Sequence, residues 1–147
     1  MIVLDTNVIS ELTRQAPDES VISWLDSVEA QDVDTTAITA AELLYGIAGL
    51  PEGARKARLE AAVTSVLVED LQENIKPFDA AEASQYALVV CDRERAGRPI
   101  STSDAQIAAI CRQHRATLAT RNTADFEGTG IELVNPWKLS EPGTNET

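Results

Sequence analysis

Four acidic residues that lie far apart in the chain are the candidates for chemistry: Asp5, Glu42, Asp104 and Asp125. Asp5 directly follows the apolar run 2–4, where a carboxylate is costly to bury unless it is paired, hydrogen-bonded or bound to a metal ion. If the four carboxylates meet in one pocket, they repel one another. Divalent cations that prefer oxygen ligands, such as Mg²⁺ or Mn²⁺, would relieve that repulsion.

Such a pocket would suit the hydrolysis of a phosphodiester bond. One divalent cation can lower the pKa of a bound water, and a second can stabilise the leaving oxygen. This chemistry needs no histidine, and the single histidine, His114, follows a predicted helix whose carboxyl end it would stabilise. With no second histidine, we do not expect a zinc site or a serine or cysteine hydrolase. The seven glycines are scattered in predicted turns, so we expect no glycine-rich phosphate loop either.

The elements that must position these acids are predicted to be alternating strands and helices. Short apolar or β-branched runs predict strands, and apolar residues at helical spacing predict the helices between them. Strands separated by helices indicate an α/β fold with a mostly parallel sheet of about five strands, covered by helices on both faces. The predicted strands span 2–4, 33–38, 75–78, 116–120 and 131–134.

Ligands of open α/β sheets bind outside the carboxyl ends of the strands. Asp5 follows the first predicted strand, Glu42 lies in the first turn of the helix after the second, and Asp125 follows the fourth. These three acids therefore belong to that edge. Asp104 lies in the first turn of the helix before the fourth strand, and it joins them only if that helix begins near the same edge.

Each acid taken alone also has a purely structural interpretation. Thr39 would open the third helix, and with Glu42 it matches the capping box, in which a glutamate bonds back to the amide that opens its helix. Ser101 and Asp104 resemble the same motif. Asp5 could cap the first helix, and the fourth acid could fix a turn. Only the meeting of all four side chains separates a metal site from four independent caps.

Two other function classes remain open from the residues themselves. A strand that ends in an aspartate can present an aspartyl nucleophile, as in a phosphotransferase. In that class a second aspartate commonly stands two residues on, where this chain has Asn7, and no lysine is clearly placed as a partner. A pure binding module would use the acids to hold a metal ion or a basic partner without turnover. Replacing Asp5 by Asn separates the three classes.

The composition is typical of one globular domain. The chain has 147 residues, 44% of them hydrophobic, and a formal net charge of -12, which is the wrong sign for a surface that binds nucleic acid. It shows neither a signal peptide nor an apolar run of membrane length, so we expect a cytoplasmic protein. Residues 1–139 should form the domain and 140–147 a flexible tail. Cys91 and Cys111 are expected to be reduced core residues.

Motifs along the whole chain resemble those of PIN-domain proteins. Each motif alone is weak, but all of them in order, from Met1 to about Leu139, are highly specific. The matching segments are MIVLDTNVISEL at 1–12, ITAAELLYGI at 38–47, SDAQIAA at 103–109, LATRN at 118–122 with DF at 125–126, and VNPW at 134–137.

Within that family the chain most resembles VapC-type toxins of toxin–antitoxin modules, in the FitB-like and plasmid-stability branch. The resemblance implies a three-layer α/β/α fold, a Mg²⁺- or Mn²⁺-dependent endoribonuclease activity and a homodimer. It also implies a small antitoxin that blocks the active site with its C-terminal segment and binds operator DNA through its own N-terminal domain.

The resemblance also carries over particular residues by position. The acidic metal site of the family, which is also its catalytic site, corresponds to Asp5, Glu42, Asp104 and Asp125. Nearby polar positions of the family correspond to Thr6, Asn7, Thr120 and Asn122. Arginines in or beside these segments could steer RNA, although they fit a solvated helix face equally well; they are Arg93, Arg95, Arg98, Arg112, Arg115 and Arg121.

Overall fold

The computed structural model describes residues 1–139, and the predicted tail at 140–147 lies outside the described residues. Five β-strands alternate with six α-helices in this part of the chain. In chain order they are β1 Ile2–Leu4, α1 Thr6–Leu12, α2 Glu19–Asp26, β2 Val33–Thr36, α3 Ala37–Ala48, α4 Ala54–Thr64, β3 Ile75–Lys76, α5 Ala80–Arg95, α6 Thr102–His114, β4 Thr117–Ala119 and β5 Glu132–Val134. Between residues 1 and 139, none of the helices has the length and apolarity needed to span a bilayer.

All five strands are parallel and form one sheet in the order β3-β2-β1-β4-β5. β1 occupies the centre, where Val3 pairs with Asp34 of β2 on one side and with Leu118 of β4 on the other. Because parallel strands need crossover connections, helices lie between the strands in sequence and against the sheet in space. The predicted α/β fold is confirmed, and the short strand β3, which begins at Ile75, lies at one edge of the sheet.

Helices cover both faces of the sheet. Successive side chains of a strand point to opposite faces, and β1 follows this rule. Leu4 packs into one buried cluster with residues of α1, α3 and α4, whereas Val3 packs into a second cluster with residues of α5 and α6. A central strand buried on both faces therefore needs an uninterrupted apolar run. The two clusters make the molecule the three-layer α/β/α sandwich that was expected.

The second strand is shorter than predicted, because Thr36 ends it. The Thr36 hydroxyl oxygen accepts a hydrogen bond from the amide of Thr39 at 3.0 Å, so Thr36 is the N-cap of α3. The helix begins at Ala37 and not at Thr39. The predicted capping box between Thr39 and Glu42 is therefore wrong. Glu42 lies in the second turn of the helix and does not cap it.

Candidate active site

A cleft of about 550 Å³ opens at the carboxyl edge of the sheet, and all four predicted acids line it. Asp5 follows β1, Glu42 comes from α3, Asp104 from the first turn of α6, and Asp125 from the short 3-10 turn after β4. The sequence made the position of Asp104 depend on where α6 begins, and the structure brings that helix start to the cleft.

Asp5 is the most deeply placed of the four acids, with 6% of its surface exposed. One carboxylate oxygen, Oδ1, accepts a hydrogen bond from the amide of Thr6 at 2.8 Å and so caps α1. The other, Oδ2, accepts a hydrogen bond from the hydroxyl of Thr120 at 2.8 Å. Asp5 therefore does act as a helix cap, as the structural interpretation held, but the cap uses only one of its two oxygens.

The predicted polar neighbours form a network around Asp5. Thr6, Asn7 and Asn122 line the cleft, and Thr120 is fully buried beside it. The amide group of Asn7 donates to Thr120 Oγ1 at 3.3 Å, and its carbonyl oxygen accepts from the amide of Arg121 at 3.1 Å. The amide of Asn122 also donates to Thr120 Oγ1, at 3.1 Å. These bonds fix the segment after β4 against the start of α1.

Glu42 lies at the rim of the cleft. Its Oε1 accepts a hydrogen bond from the hydroxyl of Thr6 at 3.3 Å, which joins α3 to α1. Since β1 and β2 are neighbours in the sheet, the helices that follow them start side by side. The contact between residues 36 positions apart is a consequence of that pairing.

Asp104 and Asp125 reach the cleft from the last third of the chain. Ser101 is the N-cap of α6, and its Oγ accepts a hydrogen bond from the amide of Asp104 at 3.2 Å. Asp104 is half-buried, whereas Asp125 is exposed on its 3-10 turn. The amide of Asp125 donates to the carbonyl oxygen of Asn122 at 3.0 Å. Both acids therefore lie on segments whose backbone is fixed locally.

Asp5, Glu42 and Asp104 have raised pKa values, and burial contributes more to each than the neighbouring carboxylates do. Burial is the main cause of the raised pKa of Asp5, partly offset by the hydrogen bonds from Thr120 and Thr6, and the charge of Asp125 raises it further. For Glu42, partial desolvation by the cleft walls raises the pKa most, followed by repulsion from Asp5. The pKa of Asp104 is raised chiefly by burial, and a hydrogen bond that its carboxylate accepts from the Ser101 side chain opposes this.

Repulsion also acts on the pKa of Asp104, since Asp5 and Asp125 raise it while Arg93 lowers it. Carboxylates that raise the pKa of a neighbour in this way lie close enough for their charges to repel. A cluster of carboxylates in one cleft favours whatever neutralises it, either protons or a cation.

The oxygen donors of the cleft fit a hard divalent cation by type, but they are not arranged as a finished cage. Among residues 1–139, no group of three or more Asp, Glu, His or Cys side chains stands so that it could hold a metal ion as it is. Glu42 and Asp125 are the two exposed members of the four acids. The chemistry of the donors fits Mg²⁺ or Mn²⁺, which take oxygen ligands from carboxylates.

The residues considered for other chemistries do not line this cleft. His114 ends α6, with its Nε2 3.5 Å from Glu82 Oε1. Both cysteines are free thiols; Cys111 is buried as predicted, but Cys91 is exposed, so its prediction as a core residue is wrong.

Several arginines that were considered for steering RNA make contacts within the protein instead. Arg93 is buried, and its guanidinium donates to three backbone carbonyl oxygens, so it is not available to RNA. Arg98 donates to the carbonyl oxygen of Ala124 at 3.2 Å and pairs with Glu127 at 3.1 Å. Arg121, in contrast, lines the cleft.

Four further side chains of the cleft were not predicted as site residues: Ser10, Glu11, Arg14 and Trp137. Ser10 follows Thr6 by four residues, so helical spacing would have placed it on the same face of α1. Glu11 is buried, pairs with Arg14 at 3.1 Å and accepts a hydrogen bond from the amide of Asp18 at 2.9 Å. No spacing in the sequence indicates Trp137, which reaches the cleft from beyond β5.

The chain is similar to two curated bacterial proteins over nearly its whole length. It is 41% identical to toxin FitB of Neisseria gonorrhoeae over 137 residues, which cover 93% of this chain and 99% of the relative. It is 37% identical to VapC ribonuclease Y4jK of Sinorhizobium fredii over 138 residues, which cover 94% of this chain and 99% of the relative.

The fold is similar to that of solved structures as well. The structure of FitAB bound to an IR36 DNA fragment contains a chain that superposes with a TM-score of 0.90 at 39% sequence identity, covering 97% of this chain and all of that one. A profile of the PIN domain matches residues 2–131. Because this match takes in every strand up to β4 and the segments of all four acids, the chain belongs to the PIN domain family.

Proposed function

We propose that this chain is a metal-dependent endoribonuclease that acts as the toxin of a toxin–antitoxin module. The observation that carries the proposal is the position of Asp5. Its carboxylate is held by Thr6 and Thr120 at a buried point of a cleft that three more carboxylates line. If each of the four acids only capped a helix or fixed a turn, their side chains would not need to lie in one cleft.

In this proposal Asp5, Glu42, Asp104 and Asp125 hold Mg²⁺ or Mn²⁺, with Asp5 as the central ligand. When bound, such an ion lowers the pKa of water and stabilises negative charge on the phosphate and the leaving oxygen. Family membership supports divalent-metal dependence in general. The particular ion, and whether one or two bind, belong to the proposal.

The protein's own residues orient the reacting groups. Thr120 donates to Asp5 Oδ2 and so holds the carboxylate in one rotamer, and the amide of Thr6 holds the other oxygen. Glu42, at the rim, is placed to orient the attacking water by accepting a hydrogen bond from it. Asp104 and Asp125 complete the opposite side of the site, on segments that their own caps and turns fix.

The names of the relatives support RNA as the substrate and a second protein as the partner. One relative is named a ribonuclease, another is named a toxin, and the similar solved structure is a FitAB assembly on DNA. We therefore propose an antitoxin that inserts a basic side chain into the carboxylate cluster, since a bound cationic group neutralises it as a metal ion would. We propose a homodimer in the cytoplasm.

The decisive experiment compares cleavage of defined RNAs by the wild type and by Asp5→Asn, each with Mg²⁺, Mn²⁺ or EDTA. We expect EDTA to abolish cleavage and Asp5→Asn to lower it about a hundred-fold or more, because several kcal/mol of transition-state stabilisation are lost with the ligand. The same protein is tested for a covalent phosphoenzyme, which an aspartyl phosphotransferase would form and this enzyme should not.

Asp18→Asn is the matched control. Asp18 caps α2 much as Asp5 caps α1, accepting a hydrogen bond from the amide of Ser20 at 2.8 Å, but it does not line the cleft. If Asp5 served only as a cap, both substitutions would act alike. Full RNA cleavage by Asp5→Asn, or equal losses in the two variants, would overturn the proposal.

A further inference from the structure

One arginine of the cleft is held by an aromatic ring. The guanidinium carbon of Arg121 lies 5.0 Å from the centre of the Trp137 ring, and both side chains line the carboxylate cleft. A guanidinium stacked on an indole is attracted to the ring face by about 0.5–1 kcal/mol at an exposed site. Among residues 1–139 the Arg121 guanidinium donates no hydrogen bond, so its planar N–H groups are available to an acceptor from outside the chain.

The backbone of this pair is fixed as well as its side chains. The amide of Arg121 donates to Asn7 Oδ1 at 3.1 Å, and its carbonyl oxygen accepts from the side-chain amide of Asn135 at 3.4 Å. The side-chain oxygen of the same Asn135 accepts from the amide of Trp137 at 2.9 Å. Asn135 therefore joins the backbone of the arginine to that of the tryptophan, which fixes the points from which the two side chains extend toward each other.

Arg121 also differs from the other arginine of the cleft in its charge balance. Arg14 is paired with Glu11 at 3.1 Å. Arg121 has no carboxylate within 4 Å among residues 1–139, although the chain as a whole has 24 acidic residues and only 12 basic ones. The positive charge of Arg121 lies in a cleft lined by carboxylates but is paired with none of them, so it is available to bind another anion.

We propose that Arg121 binds a backbone phosphate of the RNA in the cleft and that Trp137 is the positioning residue that holds its guanidinium for this contact. The inference rests on the proposed ribonuclease function and names a substrate-binding group for it. Guanidinium groups bind phosphate oxygens through two parallel N–H donors, which makes orientation as important as charge. In a strongly acidic protein, such a group opposes the repulsion between the RNA backbone and the cleft.

The test separates charge from orientation with four variants assayed on one RNA oligonucleotide in Mn²⁺. Arg121→Ala should raise the KM about ten-fold, since a hydrogen bond to a charged group is lost, with a smaller effect on kcat. It should also reduce the slope of log affinity against log salt concentration by about 0.7, the contribution of one neutralised phosphate on a single strand. Arg121→Lys keeps the charge but not the planar donors, so it should keep the salt slope and raise the KM by less.

The variants of the tryptophan test its positioning role. Trp137→Leu should raise the KM without changing the salt slope, because the charge remains and only its orientation is lost. Trp137→Phe, which restores a ring face, should recover most of the wild-type KM. Arg95→Ala is the control, since Arg95 is an exposed arginine outside the cleft that only approaches Asp92 at 3.9 Å. Melting temperatures are measured for every variant, so that a loss of folding is recognised.

Binding is measured separately from turnover so that the two proposals can fail independently. A fluorescent copy of the RNA is titrated with Asp5→Asn protein, with and without Arg121→Ala. Tighter binding by the protein that keeps Arg121, with the expected salt slope, supports the phosphate contact even if the wild type proves not to cleave RNA. If folded Arg121→Ala protein binds RNA as tightly as the protein that keeps Arg121 and has an unchanged KM, the phosphate contact is overturned. The same holds if this variant binds only a protein partner more weakly and still binds RNA normally.

Discussion

The guanidinium of Arg93 donates a hydrogen bond to the backbone carbonyl oxygen of Asp125, at 2.8 Å. Arg93 is 5% exposed and comes from the last turn of α5. Its Nη1 also donates to the carbonyl oxygen of Glu127 at 2.9 Å, and its Nε to that of Arg98 at 2.6 Å. One buried side chain thus ties together the turn that carries Asp125 and the loop that leads into α6.

Arg93→Lys should therefore weaken both the fold and the site. A lysine keeps the positive charge but cannot reach three carbonyl oxygens in a plane, and a buried carbonyl left without a donor costs about 1–3 kcal/mol. We expect the free energy of unfolding in urea to fall by about that amount, and RNA cleavage to fall about ten-fold at temperatures where the variant is folded. Unchanged stability and activity would show that the three hydrogen bonds are dispensable. Arg95→Lys, on the same helix but exposed, is the control.

Thr120→Val should shift the pH dependence of cleavage. The hydroxyl of Thr120 donates to Asp5 Oδ2 and lowers the pKa of that carboxyl, so its removal leaves the burial that raises the pKa less opposed. Asp5 will then be protonated at higher pH, and the acid limb of the pH–rate profile should move upward. At a fixed mildly acidic pH we expect a loss of about ten- to a hundred-fold, as for other partners of metal ligands. Thr120→Ser, which keeps the hydroxyl, should behave as the wild type.

Asp104→Asn should stabilise the metal-free protein at neutral pH. Burial and repulsion raise the pKa of Asp104 above 3.8, so the folded state binds the proton more tightly than the unfolded state does. The contribution of Asp104 to the free energy of unfolding is therefore greatest below the pKa that this carboxyl has in the unfolded state. That contribution is lost as the pH rises through the raised pKa of the folded state. Removing the charge should raise the melting temperature at pH 7 only slightly, by about one degree, because Asp104 is half-exposed and solvent screens much of the repulsion.

The effect of Asp104→Asn should disappear in acid. Near pH 3 the wild-type carboxyl is protonated in both states, so the variant and the wild type should melt at similar temperatures in thermal scans. A variant that is less stable than the wild type at pH 7 would contradict the repulsion inferred from the cleft. The substitution should at the same time abolish most metal-dependent cleavage, because it removes a ligand of the proposed site.

Divalent cations should raise the melting temperature of the wild type at pH 7, and EDTA should reverse the rise. A ligand that binds only the folded state stabilises it by about 2.7 kcal/mol at a hundred times its dissociation constant. Differential scanning calorimetry with Mn²⁺ checks this, and Asp5→Asn should lose most of the shift. Asp18→Asn, which alters a cap outside the cleft, should keep it. A shift of the same size in Asp5→Asn would place the ion elsewhere.

Much of the fold follows from local patterns in the sequence. The run Ile2 to Leu4 is apolar at every position because a central parallel strand is buried on both faces. Short runs of apolar or β-branched residues predict the other strands to within a few residues, although Asp34 interrupts the run in β2. The predicted carboxyl-edge position of Asp5 follows from that strand alone. The start of α3 was misplaced because Thr36 and Thr39 both suit an N-cap, and local sequence does not say which of two overlapping caps forms.

The sequence by itself determined which residue types could bind a cation and which strand ends carry them, since burial and helical periodicity are properties of neighbouring residues. Only the tertiary structure decided that α6 begins at the cleft, that Arg93 is buried while Arg121 faces the carboxylates, and that Trp137 returns to the site from beyond the last strand. The physical reason is that these side chains contact residues that are distant in the chain. The partners of Arg93 are backbone carbonyl oxygens, which every residue has, so no residue type in the sequence indicates them.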